Sequence, residues 1–459
     1  MSVTNIHPAS ELTAADELRA MMQGTVTLRG EDDYARTRKI WNGAVENQPA
    51  LFAVCETSAD VQAAVRFARR HSLPLSVRGG GHDWAGRALC ADGLVIDLSR
   101  MRQVIVDPHS RVATVSGGAR LKDVAVAADA HGLVAALGNC GYVGMGGFAL
   151  GGGYGPLNGL YGLAADNLLD AEVVLADGRR VTTSPDEEPD LFWAIRGGGG
   201  NFGVVTSLRI QLHEKRHMLA GPIVYPLSEA EQVLRRYANF AASMPDELGI
   251  TVGMMSGPDG QPSLLFLPLW NGDQRRGERI MSDLQALGTP KFAQVGPMTY
   301  GDMLSLIDAS VDAANGCHWE TRTCSLPAFT HDAIDVITKA VAARTSPHSM
   351  VNWHHFHGAA TRIPAAKIAF GMRQEHFTME IVACWEPDGS NGTAHRQWAQ
   401  DLWESLAAFA LPGGYANFLT PRDREQVRDA YGSNGARLLE LKRRFDPDGV
   451  FSSAIPLPD

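Results

Sequence analysis

Gly138-Asn139-Cys140-Gly141-Tyr142-Val143-Gly144-Met145-Gly146-Gly147, continued through Leu150-Gly151-Gly152-Gly153-Tyr154-Gly155, sets glycine at about half of its positions around one thiol. No turn needs so many. A backbone approached closely by a flat ligand does, because each Cβ would stand in its way. Upstream, Leu73 to Val77 reads as a short buried strand running into Arg78-Gly79-Gly80-Gly81-His82. Three successive glycines there free the backbone to turn its N–H groups toward one point, as a pyrophosphate requires. No Lys-Ser/Thr follows, as in a Walker A loop, and no Gly-x-Gly-x-x-Gly opens a helix, as in a Rossmann site. The two loops together describe a cradle for a large planar phosphorylated cofactor, each carrying one nucleophile, His82 and Cys140. On the residues alone, the alternatives are a tight turn that happens to hold His82 and a buried inert thiol at Cys140.

The rest of the chain narrows the class. Its 459 residues exceed one hydrophobic core, so two packed domains are expected. With 41 Lys and Arg against 51 Asp and Glu, the net charge is −10 and no basic block occurs. Nucleic acid and anionic membrane are therefore not expected as partners. No apolar run approaches the roughly 18 residues that span a bilayer. The stretch Met1 to Ser10 lacks a basic and an apolar region of the signal-peptide kind, so a cytoplasmic location is expected, a mature secreted form being the alternative. The six cysteines (Cys55, Cys90, Cys140, Cys317, Cys324, Cys384) form no Cys-x-x-Cys pair, which points away from a disulfide framework or zinc site.

Periodicity predicts a helix over 58–70 starting at Ser58 or Asp60, strands at 94–98, 104–107 and 113–115, and a helix over 121–131. A hairpin at Asp177-Gly178 follows, then a short helix over 190–196 and a strand over 204–212. From about residue 215 glycine thins out. Strands at 218–227, 249–256, 262–270, Met350 to His357 and Phe377 to Trp385 alternate with helices at 228–243, 274–287 and about 395–410, with a hairpin turn at Gly257-Pro258-Asp259-Gly260. That is an α+β pattern, an antiparallel sheet covered by helices. Arg422 to Arg444 reads as helical. The expected division is 1–214, a cofactor domain; 215–414, a substrate domain; and 415–459, a tail returning to the first.

These segments resemble the berberine bridge enzyme-like oxidases, FAD proteins of the vanillyl-alcohol oxidase and p-cresol methylhydroxylase superfamily. The resemblance rests on Tyr34-x-x-x-Arg38-x-x-Trp41-Asn42-Gly43, Arg78 to His82, Gly138-x-Cys140-x-x-Val143-Gly144-x-Gly146-Gly147 and Leu150 to Gly155. It continues in Tyr161-Gly162-Leu163-x-x-Asp166-Asn167, Asp190-Leu191-Phe192-Trp193-Ala194-x-Arg196-Gly197-Gly198-Gly199 and Asn201-Phe202-Gly203-Val204-Val205-Thr206. Tyr415-x-Asn417-Phe418 and Leu441-Lys442-x-x-Phe445-Asp446-Pro447 complete it. Two departures stand out: Asp83 follows His82 where serine is usual, and Phe451 leads to Ser452-Ser453-Ala454-Ile455-Pro456 where an asparagine-rich stretch is usual.

The resemblance implies a two-domain α+β FAD fold and a flavin held twice, through its 8α-methyl by His82 and through C6 by Cys140. It implies cofactor contacts at Arg78, Gly79, Gly80, Gly81, Val143, Gly144, Gly146, Gly147, Gly152, Gly153, Tyr154, Gly155, Asp166, Gly203, Val204 and Val205. Val143 would flank the flavin edge where O2 approaches. Tyr415 and Asn417 would lie over the flavin, Tyr415 as the base; a phenol near ~10 needs a cation or dipole to lower it, and Arg373 and Lys367 are the candidates. In Trp353-His354-His355-Phe356-His357, strand alternation puts His355 and His357 on one face and His354 on the other. With no third ligand in view no metal site is expected, and His355 and His357 become substrate-side candidates, with Glu380 and Cys384 on the next strand.

The implied activity is an FAD-dependent oxidase that passes hydride from a hydroxyl- or amine-bearing small molecule to covalent flavin, O2 being reduced to H2O2. The alternatives are an oligosaccharide oxidase, for which Trp270, Trp319, Trp353 and Trp385 would have to supply the stacking surface, and a dehydrogenase using another acceptor. The expected partners are the substrate and O2, in a monomer or homodimer.

Overall fold

A computed structural model describes residues 8–257, 260–387, 389 and 392–459. Pro258 and Asp259 of the expected hairpin turn, and Met1 to His7, lie outside the described residues. The first sheet has the order Thr25–Leu28, Leu51–Val54, Leu94–Asp97, Leu75–Arg78, the last three parallel. Leu94–Asp97 is central and wholly buried, which explains its unbroken apolar run. The helix Ser58–Arg70 makes the crossover between two of these strands. Its cap is Thr57, one residue before the expected start: the Thr57 hydroxyl accepts from Asp60 N–H while the Asp60 carboxylate accepts from Thr57 N–H. This geometry delivers Arg78, and the glycines after it, to the carboxyl end of the parallel strands, where open α/β sheets hold ligands.

A second, antiparallel sheet follows in the order Val104–Asp107, Val112–Ser116, Val204–Gln211, Leu168–Val174, Arg180–Thr183. The glycine-rich run carries the short helix Met145–Leu150. It presses on the first glycine loop so closely that a Cβ on Gly144 would lie 2.4 Å from Gly80 N, and one on Gly80 2.3 Å from Gly144 N. Neither position accommodates a side chain.

Beyond residue 215 the described strands form a nine-stranded antiparallel sheet. One face carries Val252, Val351, Trp353, Phe377, Met379 and Ile381, and packs on helices Ala230–Ala241, His331–Ala342 and Thr393–Leu406. The opposite face turns toward the glycine loops. The expected strand 218–227 is two strands, His217–Ala220 and Ile223–Pro226, because Gly221 takes φ +138 ahead of Pro222. The helical stretch expected in the tail breaks at Gly432 (φ +49) into Arg424–Tyr431 and Gly435–Phe445. Helix Tyr300–Ala313, strand His318–Leu326 and helix His331–Ala342 were not anticipated. The helix Gly435–Phe445 meets the Asn201 segment, where Lys442 Nζ donates to the Asn201 carbonyl, and the same Nζ donates to the Phe451 carbonyl after the helix. Among the described residues no helix is long and apolar enough to cross a membrane, no cluster of three metal-ligating side chains occurs, and all six thiols are free.

Candidate functional site

His82 and Cys140 are brought together from the two loops, with His82 Nε2 at 3.6 Å from Cys140 Sγ. The Trp41 ring stacks on His82 with centroids 4.3 Å apart and planes at 15°, and on Trp319 at 4.4 Å. Asn42 fixes that stack by donating to the Trp84 and Trp319 carbonyls and accepting from Trp319 N–H. Burial lowers His82 to about 4, so its ring is neutral and keeps a lone pair; burial pushes the Cys140 thiol up to about 12.

Around this pair the backbone is open. Among the described residues, no protein group accepts from the N–H of Gly79, Gly80, Gly81 or His82, nor from those of Gly146 and Gly147. A Cβ on Gly147 would meet nothing within 4 Å, and one on Gly79 only the Gly117 carbonyl at 3.6 Å. Asn139 Oδ1 is buried without a partner beside them. Unpaired donors and unfilled space suit a phosphorylated ligand with a flat head.

Several other residues expected to touch a cofactor are occupied by protein instead. Arg78 lies 3.7 Å from Asp97 and donates to the Thr37 carbonyl. The later glycines make room for side chains: a Cβ would meet Phe370 at Gly152, Ala164 at Gly153, the Leu137 carbonyl at Gly155 and Asn417 at Gly151. Tyr154 Oη lies 2.9 Å from His376 Nε2. His376 Nδ1 faces the Gln374 carbonyl at 2.8 Å, so Nδ1 carries the proton and Nε2 accepts from Tyr154. Asp166 forms a buried bidentate pair with Arg373, at 2.7 and 2.9 Å. Gly203 packs on Val173 and Val174, and Val204 and Val205 belong to apolar clusters. Val143, half-buried, closes the turn after Cys140 through its N–H to the Cys140 carbonyl.

The wall facing the loops comes from the nine-stranded sheet. Cross-strand rows place Thr251, His354 and Thr378 side by side, then Gly253, Asn352, Glu380 and Thr323. His354 Nδ1 is 3.1 Å from Asn139 Nδ2, and its Nε2 is 3.5 Å from Glu380 Oε1. Asn139 Nδ2 also donates to Thr251 at 2.6 Å. His354 accepts at Nδ1 and therefore carries its proton at Nε2, toward Glu380. Tyr415 Oη accepts from Gly153 N–H (3.1 Å) and Asn417 Nδ2 (2.7 Å). Even so, burial pushes Tyr415 up to about 12. The cations expected to lower it do not serve: Arg373 is held by Asp166 and Lys367 is exposed.

The histidine cluster is the reverse of the expectation. The alternation was right, but His354 is the residue on the loop side. His355 turns to the helix-covered face, stacked on Phe377 at 4.3 Å and bonded to Glu375 at 3.0 Å; burial lowers it to about 2, so the contact is a hydrogen bond from a neutral ring and not an ion pair. His357 packs against Gly159. Trp270, Trp353 and Trp385 are buried in the helix-side core, and Trp319 lies against Trp41, so none of the four offers an exposed stacking surface. Asp83 accepts from Arg87, which in turn donates to the Asn417 (2.7 Å) and Leu419 (3.1 Å) carbonyls, so it supports the Tyr415 turn. The unusual tail segment is also structural: Asn201 donates to the Ile455 carbonyl and Tyr431 to that of Pro456.

Comparison with known proteins agrees with this geometry. A family profile described as "FAD binding domain" matches residues 49–184, and one described as "Berberine and berberine like" matches residues 414–458. The (R)-6-hydroxynicotine oxidase of Paenarthrobacter nicotinovorans is 35% identical over 445 residues, covering 94% of this chain and 95% of that protein. The FAD-linked oxidoreductase aurO of Gibberella zeae is 30% identical over 453 residues, covering 97% and 87%. Among solved structures, 6-hydroxy-D-nicotine oxidase from Arthrobacter nicotinovorans superposes with a TM-score of 0.86 at 28% identity, covering 95% of this chain and 98% of that one. A variant of berberine bridge enzyme shares the fold at a TM-score of 0.85 and 21% identity, covering 98% and 99%. The chain belongs to the berberine bridge enzyme-like family of FAD-linked oxidoreductases.

Proposed function

We infer that the protein oxidises a hydroxyl- or amine-bearing small molecule, with FAD bonded to both His82 and Cys140 and O2 as the electron acceptor. The observation that carries this reading is the polar row Asn139, His354, Glu380 facing the His82–Cys140 pair, with the hydrogen-bonded Tyr415 phenol beside it. FAD, when bound, would supply the hydride acceptor, with O2 as the final acceptor and H2O2 as its product. The unpaired N–H groups of Gly79 to His82, Gly146 and Gly147 would hold its pyrophosphate. Neutral His82 offers a lone pair for attachment.

Glu380 takes the proton that leaves the substrate hydroxyl or ammonium as hydride departs. His354 orients it through Nε2–H and is itself set by Asn139. Tyr415 remains protonated, so its O–H is a donor to substrate instead of the base, and Asn417 holds its oxygen. Asn352 and Thr323 stand directly across from the Glu380 carboxylate on the two neighbouring strands, and short polar side chains there suit a compact substrate. The 35%-identical relative is named for 6-hydroxynicotine, which makes that compound the first probe.

The test is anaerobic mixing with 6-hydroxynicotine and with panels of secondary alcohols, amines and oligosaccharides, followed by admission of air. Bleaching with an alcohol or amine and recovery within seconds, with one H2O2 per turnover, are expected. Flavin that stays reduced for minutes in air would sink the oxidase reading, and bleaching by oligosaccharides alone would move the substrate to sugars.

A further inference from the structure

Cys140 is covered by the unanticipated helix Tyr300–Ala313, which belongs to the second domain yet closes over the first domain's loop. Tyr300 Oη donates to the Leu137 and Gly138 carbonyls, and Tyr142 Oη donates to Asp312. Between these two clasps the helix presents Asp308, whose residue is only 3% exposed. Asp308 Oδ1 accepts from Gly141 N–H at 2.7 Å and lies 3.7 Å from Cys140 Sγ. Its Oδ2 is 3.5 Å from Lys122 Nζ, whose side chain is 41% exposed. A Cβ on Gly141 would meet Asp308 Oδ2 at 2.5 Å, so the glycine at 141 makes way for this carboxylate. Burying an aspartate against a half-exposed lysine is costly, and a backbone N–H could have been capped without it.

We propose that Asp308 is the proton acceptor that lets Cys140 bond to C6 of the flavin. This rests on the doubly attached FAD proposed above. The Cys140 S–H proton passes to the Asp308 carboxylate as the sulfur electron pair forms the S–C6 bond. The hydrogen displaced from C6 leaves as a proton, and the flavin, having gained two electrons, takes up two protons. O2 then accepts two electrons and two protons as H2O2, restoring oxidised flavin with the thioether in place. The net change is thiol, FAD and O2 to thioether-linked FAD and H2O2.

Charge favours Asp308 over His82 as the acceptor. A proton moved to Asp308 exchanges one buried anion for another, which the forming bond then consumes. A proton moved to His82, 3.6 Å from the same sulfur, creates a new buried cation that Arg120 opposes. Burial holds the thiol protonated, so an acceptor is needed at all.

The experiment uses the full-length protein, expressed with its flavin, as wild type, Asp308→Asn, Asp308→Ala and Cys140→Ser. Each is acid-denatured, alkylated and digested, and the peptides are mapped by mass. In wild type the peptides holding His82 and Cys140 should travel as one species bridged by FAD, with five of the six cysteines alkylated. Asp308→Asn keeps an oxygen for Gly141 N–H but is a far poorer proton acceptor. It should carry FAD on His82 alone, with six alkylated cysteines and the bridge forming at least about a hundredfold more slowly over a time course after induction. Wild-type melting behaviour and full His82 attachment in that variant show that the fold is intact. Asp308→Ala should match it, and Cys140→Ser marks the mass of the single link. A fully bridged Asp308→Asn protein overturns the proposal and leaves Asp308 as a positioning residue. Six alkylated cysteines in wild type overturn the double attachment, and this proposal with it.

Discussion

Asp166→Asn should cost the protein stability and leave its flavin in place. The carboxylate and Arg373 are almost sealed from solvent, with side-chain exposures of 5% and 6%. Two short bonds join them, and Asp166 Oδ2 also accepts from Leu163 N–H at 2.8 Å. Arg373 further donates to the Ala360 carbonyl, so it cannot swing out to water without breaking a second contact. Arg196 lies near enough that Asp166 favours its charge and Arg373 opposes it, while burial, the largest influence, lowers it to about 10. The amide keeps one acceptor oxygen but strands a buried cation, a loss of about 3–5 kcal/mol. Unfolding entropy of roughly 2.1 cal/mol/K per residue gives about 1 kcal/mol/K for a chain of 459 residues, so the melting temperature should fall by about 3–5 °C. Arg373→Met should cost a similar amount, and the double variant should recover most of it, because no unpaired charge remains. Calorimetry gives the melting shift, and acid precipitation shows whether the flavin is still attached. A shift below about 1 °C would refute the pairing argument, and a folded, colourless Asp166→Asn protein would return Asp166 to the cofactor site.

Three further perturbations separate the roles assigned above. Glu380→Gln should slow anaerobic flavin reduction about 10²–10⁴-fold, or roughly 3–5 kcal/mol of barrier, while Tyr415→Phe should cost less; a Glu380→Gln rate within about threefold of wild type would remove Glu380 as the base. His376 is held neutral by burial, lowered to about 4 from about 6.5 in the unfolded chain. The unfolded state therefore binds the proton first as pH falls: the contribution is complete above about pH 6.5 and is lost toward about pH 4, with a slope near 1.4 kcal/mol per pH unit. Urea midpoints across that window should flatten in His376→Gln, and an unchanged slope would contradict the buried neutral ring. Gly147→Ala meets no protein atom, so the melting temperature of flavin-free protein should hold while flavin content drops; Gly144→Ala should destabilise both forms through Gly80. Full flavin loading in Gly147→Ala would show that the pyrophosphate lies elsewhere.

The glycine loops were legible because their chemistry is local: strand, three glycines, histidine; then glycine, cysteine and a run without Cβ atoms. Their convergence on one 3.6 Å contact is what the sequence pattern implied. Beyond Gly147 the same pattern has a second source. Gly151, Gly152, Gly153 and Gly155 lack side chains to admit Asn417, Phe370, Phe148 and the Leu137 carbonyl, and a close approach by protein reads like a close approach by ligand. Strand alternation separated His354 from His355 but could not say which face was the site, because both faces of that strand are covered, one by helices and one by the glycine loops. Trp353 and Phe377 on the helix side were the available clue. Helix Tyr300–Ala313 carried its own signal, Thr299 and Asp302 in a reciprocal cap. Asp308 could not have been found that way: its meaning lies wholly in a contact with a residue 168 positions away.

The central claim is one FAD bonded to both His82 and Cys140, and an acid-denatured intact mass tests it most directly. The acid precipitate should be yellow and the protein heavier by one FAD, and that mass should be retained in His82→Ala and in Cys140→Ala, each with a single remaining link. A colourless precipitate with all FAD in the supernatant, or complete release by either substitution alone, would contradict the claim.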